Sequence, residues 1–195
     1  NHAFIVAAIC IGVMFLFTIL FYKEPVRKYE NVTLKKKFQD MYVALSDIKF
    51  LIFLILIGLM FWLPLWAFFN LVAVYVDRNL DTVSLYKSIV SVFGPGFASI
   101  LSAEDETGTR KLLGETIAHT GYIIMIFQVF ISRIFEKFKA IPSFNFGLLI
   151  AALGMFTIGY AYLASPEFVF LGIFLFAIGE MISSPRIQEY IMWLA

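Results

Sequence analysis

The chain has 195 residues, of which 61% are hydrophobic and 15% charged, and it carries a net charge of +1. Its mean hydropathy of +0.88 excludes an ordinary soluble domain, which needs far more polar surface. A near-zero net charge gives no indication of a nucleic-acid partner, and a single cysteine excludes a disulfide within the chain. The lipid bilayer is the expected surrounding, because it accepts the 23 phenylalanines on outward faces.

Long apolar runs predict helices that cross the bilayer, since a spanning helix needs about 20 mostly apolar residues. The predicted spans are residues 3–22, 50–76, 114–135, 144–164 and 168–194, with Pro64 interrupting the second. Runs that are apolar on both faces exclude the alternating pattern of a membrane barrel. The predicted fold class is therefore all-α, a polytopic transmembrane helical bundle. Its missing initial methionine and its final apolar residues predict that this chain is part of a longer protein.

The charges between the spans predict the orientation of the protein. Residues 23–49 and 133–139 are rich in lysine and arginine, whereas residues 77–115 carry more acidic than basic residues and residues 165–167 carry no basic one. Because basic loops face the cytoplasm, we expect a multi-pass protein of the cytoplasmic (inner) membrane. Residues 84–102 are nearly apolar but contain a Gly94-Pro95-Gly96 break. We expect one or two short helices at the outer surface there, with re-entry into the membrane as the alternative.

The basic linker has its own pattern. Its apolar residues recur at roughly helical spacing among the lysines: Tyr29, Leu34, Phe38, Met41, Tyr42 and Leu45. This pattern predicts an amphipathic helix that lies on anionic lipid, and the alternative is a solvated linker.

Glu180 is the most informative polar residue of the spans. An ionisable group at the centre of a spanning helix costs about 2.5–3.5 kcal/mol on insertion scales, so it needs a functional or a pairing reason. We expect Glu180 to load and release a proton or to contact a substrate, helped by the helix break at Pro185; the alternative is a permanent ion pair with Arg186 or another helix. Arg186 and Glu189 are three residues apart and can pair locally, either to set the helix end or as a gate.

The other polar and aromatic residues of the spans leave two readings open. His119 is either a proton relay or a bonded residue of the bundle, and Asn70, like Gln128, either lines a cavity or bonds across helices. Trp66 and Tyr122 are candidates for a cavity wall. Gly147 and Gly154 are expected to permit close helix packing. The sequence shows no metal-ligand spacing, phosphate loop or catalytic triad, so we predict no metal, no cofactor and no enzyme.

One motif resembles a known family. Gly179-Glu180-Met181-Ile182-Ser183-Ser184-Pro185 is similar to the Gly-Glu-x-x-x-Ser-Pro signature of the tenth helix in proton-dependent oligopeptide transporters, which belong to the major facilitator superfamily. The aromatic stretch at residues 65–70 resembles the family's seventh helix, and residues 138–143 resemble its loop between helices eight and nine. The resemblance covers most of residues 50–195.

The resemblance implies a domain organisation and roles for two residues. Residues 1–22 would be the last helix of the N-terminal half and residues 23–49 the cytoplasmic linker. Residues 50–195 would hold the first four helices of the C-terminal half, with an outer insert at residues 77–113. Glu180 would match a glutamate that binds the amino end of a peptide, and Thr120 would lie near an asparagine with a similar task.

The resemblance also implies a function, a secondary transporter that couples protons to a small polar solute, with a peptide as one candidate. Its partners would be the lipid bilayer, protons, a small-molecule substrate and the remaining helices of the same protein, without nucleic acid. Where the family has Asn-Pro, this chain has Thr120-Gly121, which leaves the substrate open. The alternatives are a sensor or assembly subunit on a transporter-like fold and a membrane-embedded enzyme.

Overall fold

The computed structural model describes residues 9, 11–16, 19, 20 and 33–194. Apolar runs fold as helices because a backbone in lipid must satisfy its own hydrogen bonds. The helices of residues 33–194 are α1 (Leu34–Ser46), α2 (Ile48–Asn79), α3 (Thr82–Phe93), α4 (Pro95–Ile100), α5 (Gly114–Ile117), α6 (Gly121–Phe135), α7 (Ala140–Ala161) and α8 (Phe168–Leu194), and the strands are β1 (Ser102–Glu104) and β2 (Arg110–Leu112).

Four helical segments in the described residues are long and apolar enough to cross a membrane. They are α2, α5 together with α6, α7, and α8, and they confirm the predicted spans at residues 50–76, 114–135, 144–164 and 168–194. The first predicted span, residues 3–22, falls largely outside the described residues. The protein is therefore a membrane-embedded helical bundle. The chain divides into two units, Asn1–Asp40 and Met41–Ala195, and the bundle belongs to the second.

Helix α2 runs through Pro64 without a break, contrary to the predicted interruption. A proline has no amide hydrogen, and its ring clashes with the carbonyl group four residues earlier. The helix accommodates Pro64 by widening into a π-helical turn at Gly58–Trp62, where the amide of Leu63 bonds to the carbonyl of Gly58. Such turns often occur at functional sites.

The segment between α2 and α6 contains both a confirmed and a missed prediction. Residues 84–102 form two short helices, α3 and α4, separated at Gly94, whose φ of 82° suits glycine. The two short helices are confirmed, whereas their place at the outer surface stays a prediction. The antiparallel hairpin of β1 and β2 was not predicted, and it is the exception to an otherwise all-α fold in the described residues. Its strands have three residues each, too few to show an alternating pattern.

The main core joins α2 to α7, α8 and the α3–β2 segment. Phe68 of α2 stacks on Phe176 of α8, with ring centroids 3.7 Å apart. Leu85 of α3 and Leu112 of β2 are fully buried in the same cluster. A smaller cluster nearer the other ends of the helices includes Phe61 and other apolar residues of α2, α7 and α8. Burial of this kind stabilises roughly in proportion to the apolar area removed from solvent.

A carboxylate latch holds α3 to the loop between α7 and α8. Glu167 of that loop accepts a hydrogen bond of 2.8 Å from the hydroxyl of Ser88 on α3 and another from Ser165. The hydrogen bond from Ser165, and to a smaller extent the one from Ser88, lower the pKa of Glu167 below its ordinary 4.5. The ionised carboxylate is therefore the form that holds α3.

The latch predicts a pH dependence. Because the pKa of Glu167 is lowered on folding, its stabilising contribution is complete above 4.5 and is lost as pH falls below that value towards the lowered pKa. We expect amide hydrogen exchange in α3, corrected for intrinsic rates, to accelerate as pH falls from 7 to 4. Glu167→Gln should show the faster exchange at both pH values, whereas Glu106→Gln, in the exposed hairpin, should behave as wild type. If exchange in Glu167→Gln responds to pH as it does in wild type, the Glu167 carboxylate does not hold α3.

Candidate functional site

The candidate site is built around Glu180, at the centre of the α8 span. This residue is equidistant in sequence from the two ends of the span Phe168–Met192. At 1.5 Å of rise per residue it lies near the middle of a hydrocarbon core about 30 Å thick. No lysine or arginine of the described residues forms a salt bridge with it. A charged carboxylate at this depth is costly, so its polar partners define what the site can do.

Thr120 supplies the hydrogen bond that the structure gives to Glu180. Its hydroxyl donates to Oε2 of Glu180 over 3.4 Å, and the threonine itself is fully buried. The Thr120 hydroxyl can reach Glu180 because the span 114–135 is not one continuous helix. The helical pattern is interrupted at residues 118–120, between α5 and α6. A break in a spanning helix places polar groups at membrane depth, which is tolerated where protein or a cavity surrounds them.

A close contact with α2 fixes the start of α5 and with it the position of Thr120. The amide of Gly114 donates to Oδ1 of Asp77 over 2.7 Å, and Gly114 packs directly on α2. A Cβ atom at this glycine would lie 2.2 Å from the carbonyl oxygen of Ala73. Only glycine permits this approach. Asp77 accepts a hydrogen bond from the Gly114 amide, which has no acceptor within its own helix.

Glu180 lines two cavities. The first has a volume of about 360 Å³ and is otherwise walled by apolar side chains of α2, α7 and α8. Met60, Phe61, Pro64 and Leu65 border it, so the widened turn of α2 forms one wall. Its single acidic group in an apolar wall is the arrangement expected of a site that orients a ligand through few polar contacts.

The second cavity lies between α6 and α8 and has a volume of about 210 Å³. It is more polar, because Gln128, Ser184 and Gln188 line it together with Glu180. Sequence reasoning had named Gln128 without deciding its role, and it had missed Gln188. The carboxylate is thus common to an apolar cavity on one side and a polar cavity on the other.

Glycines of α7 and α8 bring the two helices together behind Glu180. A Cβ atom on Gly147 would lie 2.9 Å from the carbonyl oxygen of Gly179, and one on Gly154 would lie 2.7 Å from that of Gly172. Real Cβ atoms do not approach this closely. The predicted packing role of Gly147 and Gly154 is confirmed, and Gly172 was missed. Since Gly179 precedes Glu180, this contact fixes the backbone at the site.

Several predicted site residues are not brought to Glu180. Asn70 bonds through its side-chain amide to the carbonyl oxygen of Trp66 over 2.7 Å, and both line an open groove away from the carboxylate. His119 is exposed, and its ring faces that of Tyr122, also exposed, at 6.2 Å. Neither pair lines either cavity that contains Glu180.

Arg186 and Glu189 form the predicted local ion pair. Nη1 of the arginine lies 2.6 Å from Oε2 of the glutamate, and the two side chains are 11% and 56% exposed. The alternative pairing of Arg186 with Glu180 is not observed. Both residues line a cavity of about 530 Å³ with Arg133 and Glu136 of the α6 end. The lining of this charged cavity on α8 begins at Met181, next to Glu180, and extends to Glu189, about 2.5 helical turns from Glu180.

The observations define a helical membrane protein with an acid at the centre of a span that forms no salt bridge within the described residues. Comparisons with protein-family models, curated proteins and solved structures give no match. The resemblance to the oligopeptide transporters therefore stays a prediction. In the described residues no group of three or more His, Cys, Asp or Glu could hold a metal ion.

Proposed function

We propose that this chain is the central part of a secondary active transporter of the major facilitator type, coupled to protons and moving a small polar solute. The observation that supports it best is Glu180, a mid-span carboxylate bonded to Thr120 and shared by two cavities. A proton or a cationic group of a substrate would supply the positive charge that no described residue gives it. Transporters bind substrates and coupling ions near the midplane, often at broken helices.

The two cavities suggest a division of tasks. The apolar cavity beside α2 would receive a substrate whose amino group meets Glu180, and the polar cavity beside α6 would give the carboxylate a path for protons. The ion pair of Arg186 and Glu189 would help to close the cytoplasmic side. The protein would reside in the cytoplasmic membrane with α1 and the end of α6 on the inner face, as the basic loops indicate.

Uptake into proteoliposomes tests the proposal. We expect the full-length protein that contains this chain to accumulate a labelled small solute when the exterior is made acidic, with short peptides tested first. Collapsing the gradient with a proton ionophore should reduce uptake to the level of empty liposomes. Binding of a solute without gradient-driven uptake or proton movement would contradict a transporter and favour a sensor.

A further inference from the structure

Helix α1 carries an exposed apolar stripe along one side. The stripe consists of Leu34, Phe38, Met41, Tyr42 and Leu45, which are between 46% and 75% exposed. At 100° per residue these positions fall within an arc of about 100°, the width of the buried face of an ordinary surface helix. Val43 and Ala44 lie outside the arc. Five large apolar side chains on one face are too many for a helix that remains in water.

The place of α1 in the chain limits what can cover this stripe. It ends at Ser46, and α2, a predicted span, begins at Ile48. Between them Asp47 is extended, with φ −74° and ψ 105°, and its carboxylate caps the start of α2 through the amide of Lys49 at 2.9 Å. The helical path is therefore broken at Asp47, directly before α2. One end of α1 is covalently held there.

The charge of α1 selects the kind of surface. Lys35, Lys36 and Lys37 precede a single acidic residue, Asp40. Lysines beside an apolar stripe match the negative potential of a membrane that contains anionic lipid. We propose that α1 lies in the membrane surface, with the stripe among the lipid headgroups and acyl chains and the lysines on anionic lipid.

Site-directed spin labelling of the full-length protein in nanodiscs tests this proposal. The background has Cys10 and any other cysteine of the full-length protein replaced by serine. One label at a time is attached at Phe38→Cys, inside the stripe, or at the neighbouring Gln39→Cys, outside it. In nanodiscs with phosphatidylglycerol the label at position 38 should be more accessible to oxygen than to a nickel chelate. The label at position 39 should show the reverse order. The matched labels differ only in the face of the helix that they occupy.

Lipid charge and the lysines give the second comparison. Each lysine near an anionic surface strengthens partitioning roughly fivefold, so Lys35→Gln with Lys36→Gln should reduce the embedded population of label 38, as should neutral phosphatidylcholine. Equal embedding in the two lipids would overturn the recognition of anionic lipid. A label at position 38 shielded from both oxygen and nickel would show that protein covers the stripe and would overturn the proposal, as would equal nickel access at positions 38 and 39.

Discussion

Glu180→Gln should abolish gradient-driven uptake and leave expression intact. Glutamine preserves the shape of the side chain and an oxygen that can accept the bond from Thr120. It carries no charge at any pH, so it cannot release a proton or balance a cation at the centre of α8. Accumulation under an imposed pH gradient should fall to the level of empty liposomes, measured with the labelled solute that the wild-type protein accumulates.

Counterflow without a pH gradient separates the two possible tasks of Glu180. If the variant still exchanges internal for external solute, the carboxylate serves the proton; if exchange is also lost, it contacts the substrate. Glu115→Gln is the matched control, because that residue is exposed at the start of α5, and its uptake should equal that of wild type. Survival of both uptake and its pH dependence in Glu180→Gln would make Glu180 structural and contradict the proposed function.

The sequence predicts the spans well because length and apolarity alone decide whether a helix can cross a bilayer. It does not predict the break at residues 118–120, because Ala118, His119 and Thr120 are neither proline nor glycine and the segment around them is apolar. The bond between Asp77 and Gly114 fixes the start of α5, four residues before the break, and it joins residues 37 positions apart, which a local sequence pattern does not reveal. The π-helical turn beside Pro64 has a sequence signal, the proline, but its form depends on how the helix resolves the clash.

For the site, the sequence predicts the acid better than its surroundings. Glu180 is conspicuous because charge in a span is costly, and Thr120 enters only through the resemblance. Asn70 and Trp66 were also candidates, yet they point away from the wall that Pro64 and Leu65 form. Helical periodicity places them on another side of α2, and periodicity alone does not say which side faces the cavity. That choice depends on the packing of α2 against α7 and α8.

Gly154→Ala should destabilise the protein. The added Cβ atom would lie 2.5 Å from the amide nitrogen of Phe176 and 2.7 Å from the carbonyl oxygen of Gly172. These are backbone atoms, so α7 and α8 must move apart along their contact. Overpacking of this kind costs about 1–3 kcal/mol, which corresponds to a loss of about 2–4 °C in Tm per kcal/mol for a chain of this size. Thermal unfolding of the detergent-solubilised protein measures the change.

Gly159→Ala is the matched control on the same helix. A Cβ atom there meets nothing within 4 Å, and alanine is a better helix former than glycine by about 0.8–1.0 kcal/mol. We expect its Tm to equal or exceed that of wild type, while Gly154→Ala loses several degrees. The same pair of helices also meets at Gly147 and Gly179, directly before Glu180, so a separation of α7 from α8 in Gly154→Ala should also weaken uptake in the protein that remains folded. Equal Tm values for the two variants would show that α7 and α8 do not depend on this close approach.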